Sequence, residues 1–201
     1  GRDGQHGWGW SLPSDTRRLF IMNNKEISRI VQSDPRARRI FRGVYPRDQL
    51  PPSTTPNSAY IINTDHSRGP GEHWVCVWFD SQGGAEYFDS FGLPPTLNAI
   101  QRFISDNSIK SLKYNQRLCQ SLVSSACGLY IIYYVLMKSR GASLRRLQQP
   151  FQPYNLRGND NKVRTLVSNL LLLPRRWYIN ERTEEKSPVF QSQWRRTNVS
   201  R

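Results

Sequence analysis

His73-Trp74-Val75-Cys76-Val77-Trp78-Phe79, continued after Asp80-Ser81-Gln82-Gly83-Gly84 by Ala85-Glu86-Tyr87-Phe88-Asp89-Ser90-Phe91, decides the fold. Both runs, spanning Glu72–Phe79 and Ala85–Phe91, are rich in the aromatic and β-branched residues that favour strands. Apolar side chains occupy both parities of each run, so both faces of the sheet must be covered. The glycines between the runs mark a hairpin. A sheet buried on two sides needs helices, and the flanking sequence supplies them.

Upstream, Asn23 or Asn24 caps a helix over Lys25–Gln32, with Ile27, Ile30 and Val31 on one face and Pro35 barring continuation. Phe41–Tyr45 and Ala59–Asn63 read as short strands on either side of a proline-rich stretch over 46–56. Downstream come a helix over Ala99–Ile104 and a short strand over Ser111–Tyr114. A helix from Ala126 to about Ser139 follows, stopped by Gly141. It is apolar almost all round, which marks the buried core helix. A last helix spans Lys162–Leu172, capped by Asn159 or Asp160 and ended at Pro174. The order is that of an α+β fold, a mixed central sheet packed by helices.

The length of 201 residues suits one folded domain, taken as 19–176. Residues 1–18 read as a flexible leader containing Trp8 and Trp10, and 177–201 as a basic polar tail containing Trp194. Three cysteines cannot form a disulfide framework, so a reducing intracellular setting is expected. No run approaches the roughly 18 apolar residues of a membrane span.

The 29 basic against 15 acidic residues give a net charge of +14. Arginines cluster at Arg36, Arg38, Arg39 and Arg42, and again at Arg145-Arg146, Arg175-Arg176 and Arg195-Arg196. Arginine suits phosphate, and such a surface attracts nucleic acid without regard to sequence. No base-reading motif is present.

The chemistry centres on Cys127, at the start of the core helix and preceded by Ser124-Ser125-Ala126, with Ser125 as the expected cap. A helix N-terminus favours thiolate over thiol. A thiolate needs a base, and the histidines are His6, His66 and His73. His6 lies in the leader and His66 in a turn-rich loop, whereas His73 opens a strand and is held by it. If the hairpin loop has four residues, Cys76 faces Asp89 and His73 points to the opposite side. If it has three, Val75 pairs with Asp89, and His73 and Asp89 become diagonal neighbours. Gly83 permits the three-residue loop and Gly84 keeps the other open. Asp80, Glu72 and Glu86 are alternative carboxylates. Gln120, with Gln116 as competitor, is placed to add an amide donor to the Cys127 backbone N–H.

Gly71-Glu72-His73-Trp74, Tyr87-Phe88-Asp89-Ser90-Phe91-Gly92, Gln120 and Ser125-Ala126-Cys127-Gly128-Leu129 together resemble the adenovirus-type (adenain-like) cysteine endopeptidases. The similarity is greatest to versions encoded by Maverick/Polinton-type elements and related double-stranded DNA viruses. It extends from about Asn24 to Leu172. The resemblance implies Cys127 as nucleophile, His73 as base and acid, Asp89 as orienting acid, Gln120 as oxyanion donor and Trp74 as a wall of the substrate cleft. It implies cleavage of viral or transposon capsid and core precursors after small residues such as glycine, in the host nucleus or the virion.

The family also implies a monomer that needs no cofactor for chemistry, with DNA or a short viral peptide as candidate activators. Two features depart from the pattern. Asp89 stands where adenovirus enzymes carry glutamate, as is usual in SUMO-type proteases. Cys76 and Cys119 do not match the cysteine that tethers the adenovirus peptide. The alternatives are a ubiquitin-like or SUMO-type deconjugating protease, and a basic DNA-binding capsid protein with a protease-like shell.

Overall fold

Asn23 opens the first helix through a reciprocal capping box. Its Oδ1 accepts from the Glu26 N–H at 3.0 Å while Glu26 Oε2 accepts from the Asn23 N–H at 2.9 Å, an arrangement worth about 1 kcal/mol. Helix α1 (Asn24–Ser33) follows and buries Ile27 and Val31. The computed structural model describes residues 22–172. The expected leader and tail, with His6, Trp8, Trp10, Trp194 and Arg195-Arg196, lie outside the described residues, as do Pro174 and Arg175-Arg176 at the end of the expected domain.

After α1, Asp34 accepts from the N–H groups of Arg36 (3.0 Å) and Ala37 (2.8 Å). It thereby starts a short helix, α2 (Ala37–Ile40), that hydrophobic periodicity is too brief to reveal. The strands are β1 (Phe41–Pro46), β2 (Ser58–Asn63), β3 (Trp74–Phe79), β4 (Ala85–Phe88) and β5 (Lys113–Tyr114). They lie in sequence order in one sheet. The β1–β2 and β4–β5 pairs are parallel, and β2–β3 and β3–β4 antiparallel.

Alternation along the strands sends their side chains to two cores. Tyr60, Ile62, Val75, Val77 and Tyr87 pack with Ile100, Phe103 and Ile104 of α3 (Asn98–Asn107). Ala59, Ile61, Cys76 and Phe88 belong to a larger core. It also contains residues of α1, of α4 (Cys127–Lys138) and of α6 (Leu156–Leu172). A five-residue helix, α5 (Leu144–Gln148), is capped by Ser143 between α4 and α6.

Helix α4 is enclosed, with Tyr130, Ile131, Ile132, Tyr134, Val135 and Leu136 all at 0% exposure. Buried tyrosines need partners for their hydroxyls. Tyr133 donates to the Leu147 carbonyl (3.2 Å) and Tyr134 to Glu86 Oε1 (2.7 Å). Lys138 lies 3.2 Å from the same Glu86 oxygen, so this buried carboxylate is paired.

The structure corrects several expected boundaries. Strand β3 starts at Trp74 rather than Glu72, and β4 stops at Phe88 rather than Phe91. Beyond Phe88 the ladder gives way to hydrogen bonds with the segment after β5. Helix α6 begins at Leu156 rather than Lys162. Asn155 Oδ1 accepts from the Gly158 N–H at 3.0 Å and so starts the helix earlier. Asn159 is therefore inside the helix, not its cap, and donates to the carbonyls of Cys119 (3.0 Å) and Gln152 (2.8 Å). Helix α4 has Ala126, not Ser125, in the N-cap position, and no side chain caps it.

Candidate active site

The hairpin adopts the three-residue loop. Phe79 pairs with Ala85, Val77 with Tyr87 and Cys76 with Phe88, and the Asp80 N–H donates to the Gly84 carbonyl at 3.0 Å. Gly83 turns the chain at φ +77°, a conformation that L side chains avoid. Asp80 is occupied by this turn, its Oδ1 accepting from the N–H groups of Gln82 and Gly84. The register puts His73, just before β3, and Asp89, just after β4, at the same end of the pair.

There His73 Nε2 stands 2.7 Å from Asp89 Oδ1. The same oxygen accepts from the Phe91 N–H at 2.8 Å, and the Phe91 ring stacks on the imidazole with centroids 4.6 Å apart. The Cys127 thiol interacts with the same imidazole. Since Nε2 is taken by Asp89, Nδ1 is the nitrogen left for sulfur. Burial alone favours the neutral ring. Hydrogen bonds and negative charge from Asp89 and Cys127 outweigh burial and raise the His73 pKa to about 9.

Asp89 is in turn fixed through its backbone. Asn115, 1% exposed, accepts from the Asp89 N–H (2.9 Å) and donates to the Asp89 carbonyl (2.5 Å). It continues with a side chain the pairing that β5 began with its backbone. The turn then closes with the Gly92 N–H donating to the Asp89 carbonyl at 2.8 Å. Gly92 has φ +74°, and a Cβ there would lie 2.6 Å from the Arg117 carbonyl carbon.

Gln120 is 1% exposed and held at both ends of its amide. Its Oε1 accepts from the Ser90 hydroxyl at 2.6 Å, and its Nε2 donates to the carbonyl of Ser124, on the loop leading to Cys127, at 2.7 Å. Gln116, the competing amide, is exposed. Cys127 is the first residue of α4, and no side chain caps that helix end.

The other candidates lie elsewhere. Glu86 bonds Tyr134 and Lys138 on the α4 side of the sheet. Glu72 is exposed, as is His66 in the turn after β2. Burial raises the Cys119 thiol to about 12 and pushes Cys76 well above the ordinary thiol range. Trp74, expected on a cleft wall, is 7% exposed and packs in the larger core. Its indole N–H donates to the Met22 carbonyl at 3.0 Å, and a Cβ on Gly128 would lie 3.1 Å from the Met22 side chain. The Trp74 indole is thus tied to the backbone just before α1.

Sequence reasoning does not single out Ser90 or Asn115 as site residues, and it reads Asn159 only as a helix cap. Each is a short polar residue in a loop or near a helix start, a pattern shared with many surface positions. Only the adjacency of Ser90 to Asp89 offered a signal.

No family model matches the chain. A stretch of 86 residues is 30% identical to a cysteine protease of African swine fever virus (isolate Tick/Malawi/Lil 20-1/1983), covering 37% of this chain and 31% of that protein. The chain thus spans about a third of the length of that curated relative. Among solved structures, the selenomethionine crystal structure of the African swine fever virus protease matches with a TM-score of 0.41 and 22% identity. That match covers 54% of this chain and 43% of the other.

Proposed function

We propose that this chain is a cysteine protease acting through Cys127 and His73. The observation that carries the reading is the shared imidazole, bound at Nε2 by Asp89 at 2.7 Å and interacting with the Cys127 thiol. A proton held on His73 and a negative charge on sulfur form the ion pair that such an enzyme needs before substrate arrives. The similarity of an 86-residue stretch to a named viral cysteine protease supports the same chemistry.

In this mechanism the Cys127 thiolate attacks the scissile carbonyl, and the tetrahedral oxyanion is met by the Cys127 N–H and Gln120 Nε2. His73 gives its proton to the leaving amine as the thioester forms. The neutral ring then takes a proton from water, which attacks the thioester and releases the second product and the thiolate. Asp89 fixes the tautomer and stabilises the imidazolium throughout.

The substrates we propose are viral or transposon capsid and core precursors, cut after small residues such as glycine. The order His73, Asp89, Gln120, Cys127 and its resemblance to the adenovirus-type endopeptidases support this choice. Incubation with candidate precursors, followed by mapping of new termini, tests it. New termini after small residues, absent with Cys127→Ala, are the expected result. Turnover confined to folded ubiquitin-like conjugates would move the enzyme to the deconjugating class. No labelling of Cys127 by iodoacetamide beyond that of a free thiol would remove the protease reading altogether.

A further inference from the structure

Ser90 is 0% exposed, yet its hydroxyl and its carbonyl both hold Gln120. The hydroxyl donates to Gln120 Oε1 at 2.6 Å. The carbonyl accepts from the N–H groups of Gln120 at 3.1 Å and Cys119 at 2.9 Å. A free glutamine side chain samples many rotamers, and its terminal amide can present either oxygen or nitrogen to a given point. The carbonyl of Ser124 only accepts, so it selects the nitrogen. The Ser90 hydroxyl satisfies the oxygen on the other side. Nε2 carries two hydrogens and Ser124 takes one, which leaves one donor for a developing oxyanion.

We propose that Ser90 is the positioning residue that orients the Gln120 amide for oxyanion stabilisation. The proposal rests on the protease reading above and names how that site is held. The residue before Ser90 is Asp89, which binds His73, and the residue after it is Phe91, which stacks on His73. One turn therefore sets the base with its first and third residues and the oxyanion donor with its second. Loss of the Ser90 hydroxyl would leave a buried Oε1 without its donor and free the amide to rotate.

The test separates hydrolysis from thiol reactivity. Hydrolysis of a fluorogenic peptide spanning the mapped cleavage site requires oxyanion stabilisation, whereas alkylation of Cys127 by iodoacetamide requires only the thiolate–imidazolium pair. Ser90→Ala should lower kcat by roughly 10–100-fold with KM within about threefold, a loss typical of a misplaced catalytic group. Its alkylation rate should stay within about twofold of the parent. In a Gln120→Ala background, Ser90→Ala should cost almost nothing further, since both changes remove one interaction.

Ser90→Thr, which keeps the hydroxyl, should restore most of kcat. Ser90→Cys, near in volume but a weak donor, repeats the kcat comparison and the Gln120→Ala cycle if Ser90→Ala does not fold. An unchanged kcat would overturn the proposal, as would additivity with Gln120→Ala. So would a matching fall in alkylation, which would assign the effect to His73 and Asp89. Failure of the protease reading itself looks different, because the parent protein would neither cleave peptide nor alkylate selectively at Cys127.

Discussion

His73 Nε2 and Asp89 Oδ1 meet at 2.7 Å although neither residue lies in a strand. The sheet delivers them to the same end of β3 and β4 and then stops. Side chains take over from ladder hydrogen bonds at that point, with Asn115 bracketing the Asp89 backbone and Phe91 covering the imidazole. The His73–Asp89 contact depends on register, since a slip of one residue would send the two side chains to opposite faces.

The His73 pKa is raised from the ordinary 6.5 to about 9, which sets an alkaline limit. Peptide turnover should fall as pH rises through about 9, because the imidazolium that protonates the leaving amine is lost, whereas alkylation of the Cys127 thiolate, which needs no proton, should not fall with it. Asp89→Ala removes a hydrogen bond and a charge that hold this proton, so the limb should move to lower pH. The stability sign follows from linkage. A raised folded-state pKa contributes fully below the unfolded value of 6.5 and is lost as pH climbs to about 9. The drop in thermal midpoint between pH 6 and pH 9.5 should therefore be larger for the parent than for Asp89→Ala. Equal drops would show that the proton on His73 is not coupled to folding.

Cys127→Ala should abolish turnover and leave the unfolding midpoint within a few degrees, since one sulfur at a helix start packs little. Cys76→Ala and Cys119→Ala should keep most activity, and neither thiol should alkylate at neutral pH in the folded protein. Both are 0% exposed, and burial raises both pKa values. Peptide mapping after iodoacetamide treatment reads this directly. An inactive Cys119→Ala beside an active Cys127→Ala would move the nucleophile.

Gln120→Ala should lower kcat by roughly 10²–10³ with a smaller effect on KM, the usual consequence of losing an oxyanion donor. Gln116→Ala should be close to neutral, because that side chain is exposed. Steady-state kinetics on one peptide substrate compares the two. An equal loss from Gln116→Ala would transfer the role.

Much of this arrangement could be read from residue pattern because it depends on local rules. Two-sided apolar strands, Gly83 at a positive φ and an all-round apolar helix fix the layers and permit the observed register. What escaped detection depends on contacts between distant segments. The early end of β4 reflects Asn115 taking over the Asp89 backbone across 26 residues. Asn159 reads as a helix cap by type, and only the tertiary contact with Cys119 shows that it faces inward. Ser125 has the right chemistry for a cap, but the chain reaches Cys127 through Ala126 in an α-like conformation. Helix α2 needs just four residues and one aspartate, too few for periodicity to register.

Asn115 gives a joint stability and activity prediction. Asn115→Ala leaves the Asp89 N–H without its partner in a buried site, while the Asp89 carbonyl keeps the Gly92 N–H, and the orphaned donor should cost about 1–3 kcal/mol. Denaturant unfolding should show the loss, and alkylation of Cys127 should slow as Asp89 shifts from His73. Full stability and full reactivity in this variant would show that the bracket is dispensable.

The last prediction concerns charge. We expect DNA binding that is indifferent to sequence, but the arginines cannot all contribute equally. Arg140 is committed to the fold, its guanidinium 2.7 Å from Asp34 and bonded to the carbonyls of Leu136 and Leu170. Arg42 donates to Thr55 and to the Arg39 carbonyl. Arg38 and Arg39, exposed in the last turn of α2, present a pair of charges to solvent. Affinity for duplex DNA should fall with salt along a line of slope about −0.9 per phosphate neutralised, and scrambled duplexes should compete equally. Changing Arg38 or Arg39 to Ala should weaken binding to every duplex alike and flatten the slope by about one. Arg140→Ala should instead lower the unfolding midpoint, because Asp34 would be left buried without its partner. Cleavage of a DNA-bound precursor should rise with added DNA at low salt and lose that gain at high salt. Activity indifferent to DNA at every salt concentration would leave the positive surface with no part in the reaction.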